Sequence, residues 1–312
     1  MPSFALKVTR FGFSALGRLS PTLAGQAALA LFCRTPPKRP KAAKAKAAFA
    51  EGQRKLAGAE KLMVGRGGGT VGVQRIAATN SQAPRVLVVH GWGSRAEYLA
   101  DLAIGLRDAG AEVIILDLPG HGRSAGRRLD MRMAAKAMAE VQTRFGPFDA
   151  AVGHSFGGAA LMAAAGGSFP GIAPFAAERF AVIGSPSRID EVLATFVRIA
   201  KLTPATASAL VRLTERRAGC PASALDGVPI ARRLGKPLLV VHAEDDKEVN
   251  ADHARRYLSA GPHVRHHWAN GQGHRRIVSA PEVIAAVSSF LLGNADGGAV
   301  VKTKRLRASS SF

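Results

Sequence analysis

At 312 residues the chain is longer than one ordinary compact domain and shorter than two full ones. Its 47% hydrophobic content supports a large core and excludes wholesale disorder, and two distant cysteines, Cys33 and Cys220, build neither a disulfide framework nor a zinc site. The charge of +21 is extreme but uneven: residues 1–60 hold 11 basic and 2 acidic side chains, Lys302, Lys304, Arg305 and Arg307 face only Asp296 in 293–312, and the middle is moderately basic.

Residues 1–33 read as a basic, apolar leader, with Lys7, Arg10 and Arg18 among Phe4, Leu6, Phe11, Phe13, Leu16, Leu19 and Leu23. The uncharged run from Leu23 to Cys33 is too short for a membrane span, which needs about 20 residues. It ends in Leu31-Phe32-Cys33-Arg34, a poor signal-peptide cleavage site. An amphipathic helix is expected instead, lying on the protein's own body or on a membrane surface. Pro36-Pro37-Lys38-Arg39-Pro40-Lys41, followed by Lys44 and Lys46 among alanines, reads as a solvated linker. With no aromatic residue between Arg34 and Ala48 there is no stacking platform for single strands, which argues against nucleic acid.

From about Glu60 strand and helix patterns alternate. Leu62–Val64 and Thr70–Ala77, split by Gly65-Arg66-Gly67-Gly68-Gly69, suggest a hairpin. Strands are expected at Arg85–Val89, Glu112–Leu116, 148–154, 180–184, 237–242 and 263–268, and helices at Ala96–Ala109, 129–145, 156–166, 250–260 and 280–292. This alternation implies a mostly parallel sheet covered on both faces. Between Gly184 and Leu234 an insertion shows helical spacing over Asp190–Leu202 and Ala205–Arg217. The tail after Gly293 is small, polar, basic and expected to be disordered.

Three strand ends carry the chemistry. Gly153-His154-Ser155-Phe156-Gly157-Gly158 is G-x-S-x-G between a strand and a small-residue helix. The serine stands on a tight turn, where flanking glycines permit close approach and the helix N-terminus aims N–H groups at a developing oxyanion. Val86–Val89 runs into His90-Gly91-Trp92-Gly93, where the Trp92 N–H is a candidate second donor. The strand 237–242 leads to Glu244, Asp245 and Asp246, and the next strand leads to Gly271-Gln272-Gly273-His274, which satisfies the order Ser…Asp…His.

These residues resemble the α/β-hydrolase superfamily over roughly 60–292, including the loop Asp117-Leu118-Pro119-Gly120-His121-Gly122-Arg123-Ser124. His242-Ala243-Glu244-Asp245-Asp246-Lys247-Glu248-Val249 is similar to the family's His-Gly-x-x-Asp-x-x-Val, with Ala243 where glycine is usual. The resemblance implies an α/β-hydrolase fold, a mostly parallel sheet flanked by helices. A basic extension (1–59) precedes the hydrolase domain (60–292), which carries a small helical cap at about 185–234, and a basic tail (293–312) follows. It points to Asp246 as the acid, with Asp245 the alternative and Asp190 a remote third. Ser155 is then the nucleophile, His274 the base, and Trp92 and Phe156 give backbone N–H groups to the oxyanion hole. Val192, Leu193, Phe196 and Val197 are candidate apolar contacts of the cap, for substrate or for core.

The remaining histidines have structural readings. His90, His121, His154 and His242 orient loops, and His253, His263, His266 and His267 lie on a helix surface or strand edge. No cofactor is expected, and without HExxH or Cys/His spacing no metal is expected. Arg275, Arg276, Arg123, Arg127 and Arg128 stand near the site and read as solvated surface, with attraction of an anionic substrate the alternative. The expected function is a cytoplasmic serine esterase acting on a small-molecule ester or thioester. An acyltransferase on the same fold is the first alternative, and a non-catalytic scaffold binding membrane or nucleic acid through its basic arms the second. Peripheral contact at the inner face of a membrane would involve residues 1–46.

Overall fold

The computed structural model describes residues 4–65 and 69–293; the glycine-rich centre of the hairpin turn and the basic tail lie outside them. The chain opens with three helices, α1 (Phe4–Leu19), α2 (Pro21–Phe32) and α3 (Ala43–Lys55). The hairpin β1 (Glu60–Val64) and β2 (Val71–Ile76) follows, then β3 (Arg85–Val89), α4 (Ala100–Asp108) and β4 (Glu112–Leu116). The central units are α5 (Met131–Phe145), β5 (Ala150–His154), α6 (Phe156–Ala165) and β6 (Arg179–Ile183). An excursion of α7 (Ile189–Ala200), α8 (Pro204–Ala218) and α9 (Gly227–Leu234) leads to β7 (Leu238–His242). The chain closes with α10 (Asp252–Arg256), β8 (Val264–Trp268), α11 (Gly273–Arg276) and α12 (Pro281–Leu291).

The strands form one sheet in the order β1-β2-β4-β3-β5-β6-β7-β8, antiparallel at β1–β2–β4 and parallel from β4 to β8. Alternate residues of each strand enter opposite cores, because side chains reverse face at every step. Leu87, Val89, Ile114, Leu116, Val182 and Val240 point to the side covered by α5 and α6. Val86, Val88, Val113, Ile115, Ile183 and Val241 point to the side covered by α4 and α12. Burial on both faces explains why the strands read as unbroken apolar runs. The parallel strands all end at one edge of the sheet, and the loops there carry the site.

The N-terminal segment differs from one helix followed by a free linker. Ser20 breaks it into a helical hairpin, its side chain accepting the Leu23 N–H so that α2 starts afresh behind Pro21. Gly25 of α2 sits on α8, where an added Cβ would meet Ala209 Cβ at 2.9 Å. Phe13, Ala28, Leu193, Ala200 and Leu210 form a third core between this hairpin and the excursion, with Phe196 and Val197 packed against it. Phe32 meets Phe196 edge to face at 5.1 Å. The apolar side of α7 over Leu193, Phe196 and Val197 is thus covered by α1 and α2.

The stretch after α2 is tied down rather than solvated. Thr35 donates its N–H to Arg127 O (3.1 Å) and its hydroxyl to Gly120 O (3.2 Å), and Lys38 reaches Ser124 O. Ala43–Lys55, read as part of the linker, is helical, as an alanine-rich run favours. Gly52 is pressed against the Glu97 backbone, the Arg95 guanidinium lies 4.1 Å over the Phe49 ring, and Tyr98 donates to Ala45 O at 3.2 Å. Among the described residues no helix is long and apolar enough to cross a membrane.

Candidate active site

Ser155 caps α6 at the end of β5 with φ 54° and ψ −126°, in the left-handed region that a side chain rarely adopts. The turn survives because its neighbours have no Cβ. A Cβ on Gly157 would stand 2.3 Å from His90 O, and one on Gly153 2.5 Å from Gly158 Cα. The serine carbonyl accepts Gly158 N–H (3.0 Å) and the Ser185 hydroxyl (3.0 Å), fixing the turn from below. At the first position of α6 the Phe156 N–H has no intrahelical acceptor, and the helix N-terminus is positive.

Asp246, Ser155 and His274 come from three different strand ends and meet in one hydrogen-bonded run. His274 Nε2 lies 3.0 Å from Ser155 Oγ, and His274 Nδ1 lies 2.7 Å from Asp246 Oδ2. The Asp246 side chain is wholly buried, and its Oδ1 accepts the N–H groups of Glu248 (2.8 Å) and Val249 (2.9 Å). Burial would raise its pKa, but the hydrogen bonds from His274 and from these two amides outweigh it and hold the carboxyl below the usual range. Asp245 points elsewhere, accepting Gly271 N–H at 2.8 Å and shaping the loop that presents His274. Asp190 pairs with Arg188.

Gly91 is packed against the serine, since a Cβ there would stand 2.8 Å from Ser155 Cβ; the backbone therefore enters Trp92 directly beside Ser155. The Trp92 ring meets Phe156 at 5.6 Å and His121 at 5.7 Å, both edge to face, and it is 37% exposed. His121 Nε2 accepts Gly93 N–H at 2.9 Å while Nδ1 donates to Pro119 O at 3.0 Å. His90 Nε2 accepts Leu118 N–H at 3.0 Å, with Nδ1 toward Gly91 O at 2.7 Å. His154 donates from Nε2 to the backbone carbonyl of His274 at 2.8 Å. Burial pushes all three down, His90 and His121 to about 4 and His154 to about 3, so they act as neutral struts. Asp117 locks the same loops, accepting Ala96 N–H and Arg123 N–H, both at 2.9 Å.

Three residues around the site lie elsewhere, or closer to it, than their sequence pattern indicates. His253 is not on a helix surface: it is buried, with Nδ1 3.2 Å from Ser187 Oγ and Nε2 3.5 Å from Glu191 of α7. Gly184, whose φ is +54°, lies against Asp246 and His274, where a Cβ would stand 3.4 Å from both Asp246 Oδ2 and His274 Nδ1. Its signal was a glycine closing the Arg179–Ile183 run. Glu248 also lies close, with Oε2 3.9 Å from His274 Nε2. Its other oxygen takes the Arg275 Nε at 2.7 Å, turning that guanidinium out to 82% exposure. A cleft of about 360 Å³ beside His274 is lined by Lys44, Lys247, Glu248, Arg275 and Arg276. Lys44 brings the N-terminal segment to the site, and Pro36 lies 3.4 Å from where a Gly93 Cβ would stand.

Comparisons with known proteins agree with this architecture. The family model described as alpha/beta hydrolase family matches residues 86–287. Among solved structures, a putative lipase from Acinetobacter baumannii is similar at 18% identity and a TM-score of 0.57, covering 83% of this chain and 98% of its own. A carboxylesterase from Bacillus subtilis gives 18% and 0.56, covering 80% and 97%. An esterase from Pyrococcus furiosus gives 18% and 0.56, covering 82% and 98%. At such identities the likeness shows the fold. No curated protein matches the sequence.

Proposed function

The chain belongs to the alpha/beta hydrolase family, and from that premise we propose that it is a serine hydrolase cleaving a carboxylic ester or thioester through an acyl-enzyme. The observation that carries this reading is the continuous run Asp246–His274–Ser155, with separations of 2.7 and 3.0 Å.

Ser155 Oγ attacks the acyl carbon as its proton passes to His274 Nε2. The ionised Asp246 fixes the ring with Nδ1–H toward it and stabilises the imidazolium. Negative charge on the former carbonyl oxygen is met by the N–H groups of Phe156 and Trp92, supported by the positive end of α6. Collapse breaks the bond to the alcohol or thiol, which leaves with the proton from Nε2. Water then adds to the acyl-enzyme by the same route, giving the acid and restoring Ser155. Trp92 and Phe156 spend their backbone on the oxyanion, leaving their rings to shape the acyl site. We place the reaction in the cytoplasm, a reading supported by the unpaired thiols of Cys33 and Cys220.

Hydrolysis of short p-nitrophenyl esters tests the proposal. Ser155→Ala is expected to reduce kcat by about 10³-fold or more. A variant that keeps the wild-type rate contradicts it.

A further inference from the structure

α1 is apolar on two opposite faces, whereas a helix at the surface of a globular protein ordinarily needs one such stripe. One face is spent internally: Phe13 is buried with Leu193 and Leu210, and a Cβ on Gly17 would already stand 2.9 Å from Thr206 Oγ1. Val8, Phe11, Ala15 and Leu19 follow at intervals of three, four and four, which sets them on the other face. That face is open: Val8 is 54% exposed, Phe11 76% and Leu19 84%. Leu23, near the start of α2, is exposed as well, at 53%. Ile199 is also exposed, and its carbonyl accepts Arg10 Nε at 2.8 Å, which places the end of α7 against α1. Single exposed apolar side chains are ordinary, but several large ones in register on one helix mark an interaction surface.

The charges around this stripe select its occupant. Lys7 and Arg18 flank it on α1, and Arg198 and Lys201 flank Ile199; all four are exposed. Residues 1–50 hold nine Lys and Arg and no Asp or Glu. A second copy of the chain would bring +21 against +21 and be repelled. A nucleic acid would use the charges but leave the apolar stripe in water. An anionic lipid surface satisfies both features, since apolar side chains enter the acyl boundary while lysine and arginine stay among the headgroups. We propose that the Val8–Phe11–Leu19 face of α1, with Leu23 exposed nearby, is a docking surface for an anionic lipid bilayer, on which the protein lies without spanning it. The proposal stands independently of the reaction assigned to Ser155.

The test is co-sedimentation of the full chain with vesicles of phosphatidylcholine alone and of phosphatidylcholine with about a third phosphatidylglycerol. Binding to the anionic vesicles is expected, and Phe11→Ser combined with Leu19→Ser is expected to weaken it by about tenfold or more, from the apolar area removed. Both side chains face solvent, so an unchanged melting curve verifies the fold. As a second readout, Phe11→Trp is expected to be quenched by brominated lipid in anionic vesicles. Three results overturn the proposal: no binding by the folded wild type, equal binding by the double variant with an unquenched tryptophan, or a concentration-dependent dimer that the double variant dissolves.

Discussion

The molecule has a lower region around Ser155, held by backbone in close contact, and an upper layer of helices, α1, α2, α7 and α8, held by side chains. Below, Gly153, Gly157 and Gly91 bring β5, α6 and the β3 loop so near that a methyl group would not fit. Buried neutral histidines and Asp117 lock the loops there, His90, His121 and Asp117 through two hydrogen bonds each. Above, α1 and α2 cover α7 and α8 through a small satellite core. The strap from Thr35 to Lys38 is fastened to loop carbonyls. The first arrangement tolerates almost no change and holds Ser155 and His274 in register. The second is expected to loosen without disturbing the sheet.

Substitutions separate the two regions, and the largest effect is expected at Asp246. Asp246→Asn should lower kcat/KM by about 10⁴-fold by favouring the wrong His274 tautomer, whereas Asp245→Asn, which only loosens the Gly271 turn, should stay within about tenfold. Steady-state ester hydrolysis measures both, and equal losses would dissolve the distinction between the two carboxylates. Next comes Gly157→Ala, whose methyl would meet His90 O and Val89 O. A global destabilisation of about 3 kcal/mol is expected in urea unfolding.

Leu193→Ala probes the upper layer, where about 2 kcal/mol is expected. Here the loss should appear as faster hydrogen exchange in α1, α2 and α7, with the midpoint of the sheet domain little changed. A matching fall in the global midpoint would show that the two regions form one cooperative unit. Acid gives the smallest effect per residue. His90, His121 and His154 have pKa values of about 4, 4 and 3 when folded but about 6.5 when unfolded. The unfolded chain therefore binds more protons below about 6.5, so stability is full above that pH and falls as pH drops toward 4. Each should contribute about 1 kcal/mol of loss by pH 5.5, visible as a lower urea midpoint. All three sit in the loops around Ser155, so acid should loosen the lower region. A midpoint that does not move would contradict neutral, buried struts.

Legibility followed the same division. Strands buried on both faces write themselves as apolar runs, so Arg85–Val89 and Glu112–Leu116 were readable to the residue. The three strand ends were readable because the turn glycines and the serine, acid and histidine lie in short local motifs. Long-range packing leaves no such mark. The periodicity of Val192, Leu193, Phe196 and Val197 shows that α7 has an apolar face but not that α1 and α2 cover it. Ala43–Lys55 was hidden by its charges and by the prolines before it, although Phe49 and Gly52 carry its contacts. Gly184 and Glu248 needed the third dimension, since only the fold sets them beside His274.

The central claim is that Ser155 is activated by the run through His274 to Asp246. Labelling of the folded protein by a fluorophosphonate probe tests it most directly, with the modified residue located by mass spectrometry. The account predicts one labelled site, Ser155, and no labelling of Ser155→Ala. A folded wild type that does not react, or a Ser155→Ala variant that labels equally, would contradict it.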